Sequence, residues 1–470
     1  MRATTRAAAL PLLLALAQLP GTRPLTAQAT KPDPVARPAA ADVAPRAATL
    51  SRVRPEAVGM SSAHLDALTA ALRKYVDDGR LPGGVLLVAR HGRIAYMQAF
   101  GAREREASAP MREDAIFRIA SQSKALVTLA AMILQEEGAL LLSDPVGKYL
   151  PEFQKTTVAV PRSDAAAGAA GSTASVAAPA ANAGYDVVSA KRPITIRDLV
   201  THTSGVSYGY GPAADRWKAA GIQGWYFADR DEPIAATIAR MAALPFDAQP
   251  GEKYLYGYGL DILGPVLEKA SGMPLDRLMQ TRVFDPLKMR DTHFYLPPAQ
   301  RDRLATVYSL SAPGAKLERA PDAGTMQSQG QYVDGPRKSF SGGAGLLSTA
   351  TDYARFLQMM LNGGELDGVR LLSPKSVQIM TSDYVGSRYT DAAHGFGLGF
   401  SITKDLGATG EPGSPGEYGW GGAYHSTYWV DPREDMVVVY LTQVIPAAGL
   451  DDMARVRAMV YGAITDGGRR

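Results

Sequence analysis

A serine and a lysine three positions apart, Ser121 and Lys124, are the residues whose types and spacing most directly indicate covalent chemistry. The apolar residues after them recur at helical spacing and Gly138 is placed to end the run, so Ser121 is predicted at a helix N-terminus. The unpaired N–H groups there favour negative charge on the serine oxygen, and Lys124 lies one turn on, on the same face. The pair predicts a serine nucleophile with a lysine base, although a capping serine followed by a surface lysine has the same spacing.

A tyrosine in a glycine-rich loop is the second candidate for proton transfer. Tyr256 lies just before an apolar run that is predicted to be helical. A tyrosine held there can relay a proton if a nearby lysine stabilises its phenolate. We expect this role for Tyr256, whereas a structural aromatic is the simpler interpretation of Tyr254 and Tyr258.

The third candidate is a pair of glycines ahead of a predicted strand. Gly421 and Gly422 follow Trp420 and precede Ala423. Paired glycines let the backbone approach a substrate closely, and an N–H group here could join that of Ser121 around an oxyanion. A glycine-rich turn leading into a strand would explain the same residues.

A second serine motif, Gly-x-Ser-x-Gly around Ser207, matches the nucleophile elbow of α/β-hydrolases. That elbow needs a buried strand before the serine, a helix after it and a histidine later in the chain. Here a predicted helix precedes Ser207 and a Gly-Tyr-Gly loop follows, so we do not expect Ser207 to be the nucleophile. His425 is the histidine best placed to serve such an elbow, and we expect it in the substrate cleft or in a strand.

Together these motifs resemble those of the serine β-lactamase-related hydrolases. Three motifs carry the resemblance, in the order and at the separations typical of that group: Ser121-Gln122-Ser123-Lys124, Tyr256-Gly257-Tyr258 and Trp420-Gly421-Gly422. The similarity extends from about residue 55 to residue 466 and is greatest to the class C-like branch of family VIII carboxylesterases.

The resemblance implies an α+β fold of the β-lactamase/transpeptidase type, with an antiparallel sheet flanked by helices and a helical lobe. It implies that Ser121 is acylated, with Lys124 and Tyr256 as base and proton relay. The oxyanion hole would be formed by the N–H groups of Ser121 and Ala423. Further residues expected around the substrate are Trp420, Gly421, Gly422, Tyr258 and His425.

Two departures from the family pattern bear on the substrate. Tyr258 stands where penicillin-binding relatives carry an asparagine that would grip a β-lactam side chain. Trp420 stands where they carry a lysine, so a partner for the carboxylate of penicillins or of peptide C-termini is missing. Both departures favour uncharged esters.

Segments from both ends of the chain are predicted to build the sheet that positions these motifs. The middle of the chain is mainly helical, so it is expected to form a second lobe, with the active site between the lobes. Ser62 is expected to cap the first helix, and His91 lies in the turn of a hairpin. Besides the helix that Ser121 opens and Gly138 ends, the predicted helices are 62–79, a short one within 194–205, 260–270 and 450–464. The predicted strands are 84–90, 93–100, 396–402, 424–430 and 436–441.

Composition divides the chain further. Residues 1–29 are predicted to be a signal peptide, because two arginines precede an apolar run too short to span a bilayer and Ala27-Gln28-Ala29 offers a cleavage site; an uncleaved anchor or a disordered tail is the alternative. Residues 30–54 are interpreted as an Ala/Pro-rich linker and 163–184 as a low-complexity insertion. Residues 55–470 then form the hydrolase domain, with an α/β lobe at about 55–120 and 340–470 and a helical lobe at about 121–339.

Charge and cysteine content exclude several classes of function. The 470 residues contain no cysteine, which excludes disulfides, thiolate catalysis and a lipidated N-terminal cysteine. Of the formal net charge of +4, three positive charges lie before Thr30, and removing them leaves +1 with no basic cluster for nucleic acid. The histidines lack metal-ligand spacing, so neither a metal nor another cofactor is expected. No segment after the predicted signal peptide is long enough to span a membrane, so a periplasmic or secreted protein is expected.

The leading hypothesis is an exported serine hydrolase that cleaves carboxylic esters through an acyl-enzyme on Ser121. The expected partner is a small-molecule ester or amide, with no nucleic acid and no stable membrane insertion. A β-lactamase or D-Ala-D-Ala peptidase with the same nucleophile is one alternative. The other is a binding protein that keeps the penicillin-recognising fold without turnover.

Overall fold

The computed structural model describes residues 49–162, 184–322 and 324–466. The predicted signal peptide, most of the predicted linker and nearly all of the predicted insertion therefore lie outside the described residues. The last residues of the predicted linker already run beside a strand. The N–H of Leu50 donates to the carbonyl of Gly92 at 2.7 Å and that of Val53 to the carbonyl of Ile94 at 3.0 Å.

Seventeen strands and twelve α-helices make up the regular structure of these ranges. The strands are β1 Gly83–Arg90, β2 Arg93–Glu104, β3 Ala109–Pro110, β4 Phe117–Arg118, β5 Thr157–Pro161, β6 Tyr185–Ser189, β7 Tyr308–Leu310, β8 Glu318–Arg319, β9 Leu347–Ser348, β10 Glu365–Leu366, β11 Val369–Arg370, β12 His394–Phe396, β13 Ser401–Thr403, β14 Tyr418–Gly422, β15 Ser426–Asp431, β16 Met436–Thr442 and β17 Val444–Ala447. The helices are α1 Ser62–Asp77, α2 Ser123–Glu136, α3 Ile196–Val200, α4 Ala214–Ala219, α5 Ile234–Ala242, α6 Gly259–Ser271, α7 Leu275–Met279, α8 Asp285–Leu287, α9 Ala350–Leu361, α10 Pro374–Met380, α11 Leu406–Thr409 and α12 Asp452–Gly462.

One eight-stranded sheet joins the two ends of the chain, in the order β12-β13-β14-β15-β16-β1-β2-β3. Each neighbouring pair in it is antiparallel, and β1 pairs with β16 along its length, from Gly84 opposite Thr442 to Arg90 opposite Met436. The antiparallel sheet predicted from both chain ends is therefore confirmed.

Helices cover both faces of this sheet, which explains why every residue of β1 and β16 is buried and why their apolar residues do not alternate with polar ones. Successive side chains of a strand point to opposite faces. Val85 and Leu87 accordingly join the large core that contains α2 and α9. Leu86 and Val88 join the smaller core that contains α1 and α12.

Several predicted boundaries differ from the structure. Ser61, not Ser62, caps α1, because its side chain accepts a hydrogen bond from the His64 N–H. The single strand predicted over 396–402 is a hairpin of β12 and β13. The glycine-rich segment at Trp420 is not a turn but the strand β14, which pairs with β13 and β15. Glycine is unfavourable in a strand, so its role here must come from a close approach of other atoms.

The helical part of the middle segment packs around α2 and α6. Twelve residues of α2, from Ser123 to Leu134, are buried, so this helix is a core helix rather than a surface one. α6 contains Pro265 and ends at Gly272, which is in the left-handed conformation. Within the described ranges, no helix is both long and apolar enough to cross a membrane.

Candidate active site

Ser121 lies in a single 3-10 turn, Ala120–Gln122, that leads directly into α2. The strand before it is fixed, because β4 pairs with β9 and the Ile119 N–H donates to the carbonyl of Leu346 at 3.1 Å. Ala120 has a φ of 43°, a left-handed conformation that costs a residue with a Cβ atom about 1–2 kcal/mol. The surrounding contacts therefore hold the serine in a turn that the local sequence would not adopt alone.

Lys124 is buried one turn into the helix and reaches back to the serine. Its Nζ lies 3.2 Å from the Ser121 Oγ, 3.1 Å from the hydroxyl of Tyr208 and 2.7 Å from the carbonyl oxygen of Gly343. An ammonium group would donate to all three oxygens, whereas a neutral amine would keep a lone pair for the serine proton. The geometry required of a serine–lysine pair is therefore present.

Tyr208 is a member of this group that sequence reasoning missed. Burial raises the pKa of Tyr208 well above its usual value, and the neighbouring Tyr256 and Asp261 act in the same direction. Its phenol therefore keeps its proton at neutral pH. The signal that could have located it is its position beside Ser207, in the motif dismissed as a nucleophile elbow.

The ring of Tyr256 packs against the amine of Lys124, with its centroid 4.7 Å from the Nζ. Its hydroxyl oxygen accepts a hydrogen bond from the Trp420 Nε1 at 2.9 Å. Trp420, which stands where the penicillin-binding pattern has a lysine, therefore gives Tyr256 an uncharged hydrogen-bond donor. The Tyr256 and Tyr208 rings are 5.9 Å apart at their centroids, so two phenols flank the amine.

His202 lies behind Tyr256, with ring centroids 4.4 Å apart. Burial, and then the charge of Lys124, lower the pKa of His202 well below its usual value. Neither ring nitrogen has a hydrogen-bond partner within the described part of the chain. A neutral ring at this position supports the tyrosine without adding a second cation beside Lys124.

A buried carboxylate lies behind the amine. Asp261 accepts hydrogen bonds from the Ser341 Oγ at 2.5 Å and the Gly343 N–H at 3.1 Å. Burial raises the pKa of Asp261, while the nearby charge of Lys124 opposes that rise. Because the Gly343 carbonyl accepts from Lys124, Asp261 fixes the turn that orients the lysine.

The glycines of β14 allow that strand to pack against the turn of the serine. A Cβ atom on Gly422 would lie 2.5 Å from the carbonyl oxygen of Ile119 and 2.6 Å from the Ser426 Oγ, which is too close for any side chain. The chain thereby brings Ala423 to the cavity that Ser121 lines. The N–H groups of Ser121 and Ala423 are therefore the candidates for an oxyanion hole at this cavity.

These groups surround one cavity of about 510 Å³. The described residues of its wall include no Lys, Arg, Asp or Glu. Four of the wall residues are tyrosine or tryptophan. The wall consists of Ser121, Tyr208, Trp225, Tyr256, Trp420, Gly421, Gly422, Ala423, His425, Ser426, Thr427, Ala447 and Met453. Eight of the nine candidate residues are thus assembled in or beside one cavity, with Lys124 just behind its wall.

Tyr258 is the exception, and its predicted contact with substrate is wrong. The side chain is fully buried outside the cavity wall, stacked on Trp217 at 5.8 Å, and its hydroxyl donates to the carbonyl of Gly224 at 2.7 Å. Its position just before α6 places the ring in the large hydrophobic core, whereas Tyr256, two residues earlier, faces the cavity.

His425 lines the cavity, at the far end of the loop that follows β14. Its Nε2 lies 2.7 Å from the Oδ1 of Asp452 in α12. Ser207 has different surroundings: it does not line the cavity, and its hydroxyl donates to the carboxylate of Asp247.

Comparisons with known proteins agree with this geometry. The family model described as "Beta-lactamase" matches residues 68–460. Esterase EstB of Burkholderia gladioli is 33% identical over 410 residues, covering 84% of this chain and 94% of its own.

Two solved structures show the same fold. EstCE1, described as a hydrolase with promiscuous acyltransferase activity, has a TM-score of 0.69 and 28% identity over 85% of this chain and 98% of its own. Simvastatin synthase (LovD) from Aspergillus terreus has a TM-score of 0.70 at 23% identity, covering 86% of this chain and 99% of its own, which supports the fold alone.

The predicted resemblance, the fold class and the enzyme class are therefore confirmed, while the assignment to family VIII remains a prediction. The chain belongs to the β-lactamase family and is a serine hydrolase whose homologues include esterases.

Proposed function

We propose that this protein hydrolyses carboxylic esters through an acyl-enzyme on Ser121. The observation that carries the proposal is the 3.2 Å contact between the Ser121 Oγ and the Lys124 Nζ at a cavity lined by Ser121. The name of Esterase EstB, a relative along most of the chain, supports the same substrate class.

In the first half of the reaction, the Ser121 oxygen attacks the ester carbonyl carbon. Lys124 is the nitrogen within reach of the serine proton, and the Tyr208 hydroxyl, 3.1 Å from that nitrogen, can carry the proton towards the departing alcohol. Tyr256 turns its ring towards the amine and lines the cavity, where its phenol is the second relay of the proposal. The N–H groups of Ser121 and Ala423 hold the negative oxygen of the tetrahedral intermediate. The bond to the alcohol then breaks, which leaves an acyl group on Ser121.

An uncharged substrate suits this cavity better than a β-lactam or a peptide C-terminus. Both of those carry a carboxylate, and the described residues of the wall include no lysine or arginine to pair with it. The aromatic wall instead offers apolar surface to an acyl or alkoxy group. Esters are therefore expected to react faster than cephalosporins.

The test compares a short-chain p-nitrophenyl ester with a chromogenic cephalosporin, and locates a fluorophosphonate adduct by peptide mass spectrometry. The expected result is ester hydrolysis with the adduct on Ser121. The Ser207→Ala variant is the matched control and should label as the wild type does. An adduct on Ser207, or none at all, would contradict the proposal.

We also propose that the protein is exported by a cleavable signal peptide. The support is the pair of arginines, the short apolar run and the Ala27-Gln28-Ala29 site. N-terminal sequencing of protein from the periplasm or medium should find a chain that begins at or near Thr30. Recovery of a chain beginning at Met1 from the cytoplasm would contradict this.

A further inference from the structure

A buried carboxylate and an imidazole form a second polar pair at the cavity, separate from Ser121 and Lys124. The His425 Nε2 contacts the Asp452 Oδ1 at 2.7 Å, and the Asp452 Oδ2 accepts a hydrogen bond from the Tyr440 hydroxyl at 2.7 Å. Asp452 is fully buried, so its two oxygens depend on these two donors. An ionised carboxylate only accepts hydrogen bonds, so the hydrogen of the neutral imidazole lies on Nε2.

The other ring nitrogen of His425 is thereby left as an acceptor. Nδ1 has no hydrogen-bond partner among the described residues. It is also absent from the buried polar atoms without a partner, so it is accessible to solvent. Because the His425 side chain lines the cavity, the lone pair of Nδ1 is open to molecules that enter it. An imidazole held by a carboxylate, with its second nitrogen open, is the arrangement of a general base.

The backbone fixes this ring relative to the nucleophile. His425 has a φ of 58°, and the hydroxyl of Thr442 donates to its carbonyl oxygen. The next residue, Ser426, accepts a hydrogen bond from the Gln122 Nε2 at 3.0 Å. The residues that follow Ser121 and His425 are therefore hydrogen-bonded to each other.

Lys124 is less available to a molecule in the cavity than His425 is. It lies behind the wall, and the serine, a phenol and a carbonyl already surround its Nζ. Among the described residues of the wall, His425 carries the one basic nitrogen. A second reactant that enters after acylation therefore meets the imidazole first.

We propose that His425, oriented by Asp452, accepts the proton of the acyl acceptor, the water or alcohol that removes the acyl group from Ser121. This rests on the ester hydrolysis proposed above. The acceptor oxygen bonds to the acyl carbon as its proton passes to Nδ1, and the bond between that carbon and the Ser121 Oγ then breaks. The serine oxygen takes a proton from the Lys124 Nζ, 3.2 Å away, and the Tyr208 phenol replaces that proton on the nitrogen. The proton that His425 releases to water in the cavity then restores the phenol. The two halves of the reaction thus use different bases.

The experiment separates acylation from deacylation with p-nitrophenyl acetate. The pre-steady-state burst measures acylation, and the steady rate measures release of the acetyl group. In His425→Asn, whose side chain tolerates the left-handed backbone, the burst should stay within about twofold of wild type while deacylation slows by on the order of a hundredfold. Intact mass spectrometry should then find acetylated enzyme accumulating, and hydroxylamine, which needs little help from a base, should restore much of the turnover.

His91→Asn is the matched control. His91 also has a left-handed φ, 53°, and pairs with a carboxylate, Asp435, at 3.0 Å, but it does not line the cavity. Its two rates should equal those of the wild type. Asp452→Asn keeps the size of the orienting side chain, and it should also slow deacylation with little change in the burst.

Deacylation within about twofold of wild type in His425→Asn, or equal loss of burst and deacylation, would overturn the proposal. If His425→Asn does not fold, Asp452→Asn decides by the same two criteria. Absence of a burst in the wild type is a different result, because it contradicts the acyl-enzyme on Ser121 itself.

Discussion

Two serine loops of this protein, one at Ser121 and one at Ser207, resemble nucleophile motifs by sequence but differ in their surroundings. The Ser121 hydroxyl faces an amine and a cavity. The Ser207 hydroxyl donates to the carboxylate of Asp247 and accepts a hydrogen bond from the Gly209 N–H at 3.3 Å, away from the cavity. A serine that already donates its hydrogen to a half-buried carboxylate is a structural group.

The Ser207 loop nevertheless contributes to the site through its next residue. Gly257 allows the close approach, because a Cβ atom there would lie 2.5 Å from the carbonyl oxygen of Val206 and 2.6 Å from the Ser207 Cα. This packing places Tyr208 beside Lys124, one residue after the tightly packed serine. The motif that sequence reasoning set aside thus positions a phenol beside Lys124, although its serine lies away from the cavity.

Ser121→Ala should have the largest effect of the substitutions that test this comparison. Loss of the nucleophile should lower kcat for ester hydrolysis by on the order of 10⁴-fold or more. The melting temperature should stay close to that of the wild type, because only one hydroxyl is removed. Retained hydrolysis in a folded Ser121→Ala protein would contradict the assignment.

Lys124→Ala should follow, with a loss in kcat on the order of a hundredfold or more, because the proton of Ser121 loses its acceptor. The burst with p-nitrophenyl acetate should slow by the same factor. Fluorophosphonate labelling should slow in parallel, since that reagent also needs the activated serine. Labelling at the wild-type rate would assign the base to another residue.

Replacing the phenol of either Tyr208 or Tyr256 should slow ester hydrolysis. Each Tyr→Phe change should lower kcat by on the order of tenfold to a hundredfold, because a proton relay is lost while the ring packing remains. Tyr258→Phe is the control, because its hydroxyl donates to a carbonyl outside the cavity. It should reduce stability by about 1 kcal/mol with kcat unchanged.

Trp420→Phe should have a smaller effect, because it removes the hydrogen bond to Tyr256 and keeps most of the ring. A single hydrogen bond contributes about 0.5–1.5 kcal/mol, so kcat/KM for esters should fall by up to about tenfold. A second variant, Trp420→Lys, tests the role of charge at this position. If it hydrolyses cephalosporins, the absence of a cation is what keeps the wild-type protein from using them.

Ser207→Ala should leave kcat unchanged and lower stability in a pH-dependent way. Burial raises the pKa of Asp247, while the Ser207 hydrogen bond opposes the rise. A raised pKa in the folded state means that the contribution of Asp247 to stability falls as pH rises, and the variant should steepen that fall. Urea unfolding should therefore show a loss of about 1–2 kcal/mol at neutral pH that shrinks on acidification. A loss independent of pH would exclude Asp247 as the partner.

The sequence by itself determined the fold class, the enzyme class and the principal residues of the candidate site. Ser121 and Lys124 are one helical turn apart, and β1 and β16 each contain a run of five or more apolar residues. Local periodicity was therefore sufficient to recognise the serine–lysine pair and both strands. The three ordered motifs then indicated the family.

The tertiary structure decided which side chains of each motif face the cavity and what stands behind them. Tyr256 faces the cavity and Tyr258 the core, although they differ by only two positions, because the start of α6 turns the chain between them. Tyr208 reaches Lys124 from 84 positions away, and Asp452 of α12 reaches His425 in the loop between β14 and β15. Such contacts depend on how strands and helices pack over long separations, and neither spacing nor composition encodes that packing locally.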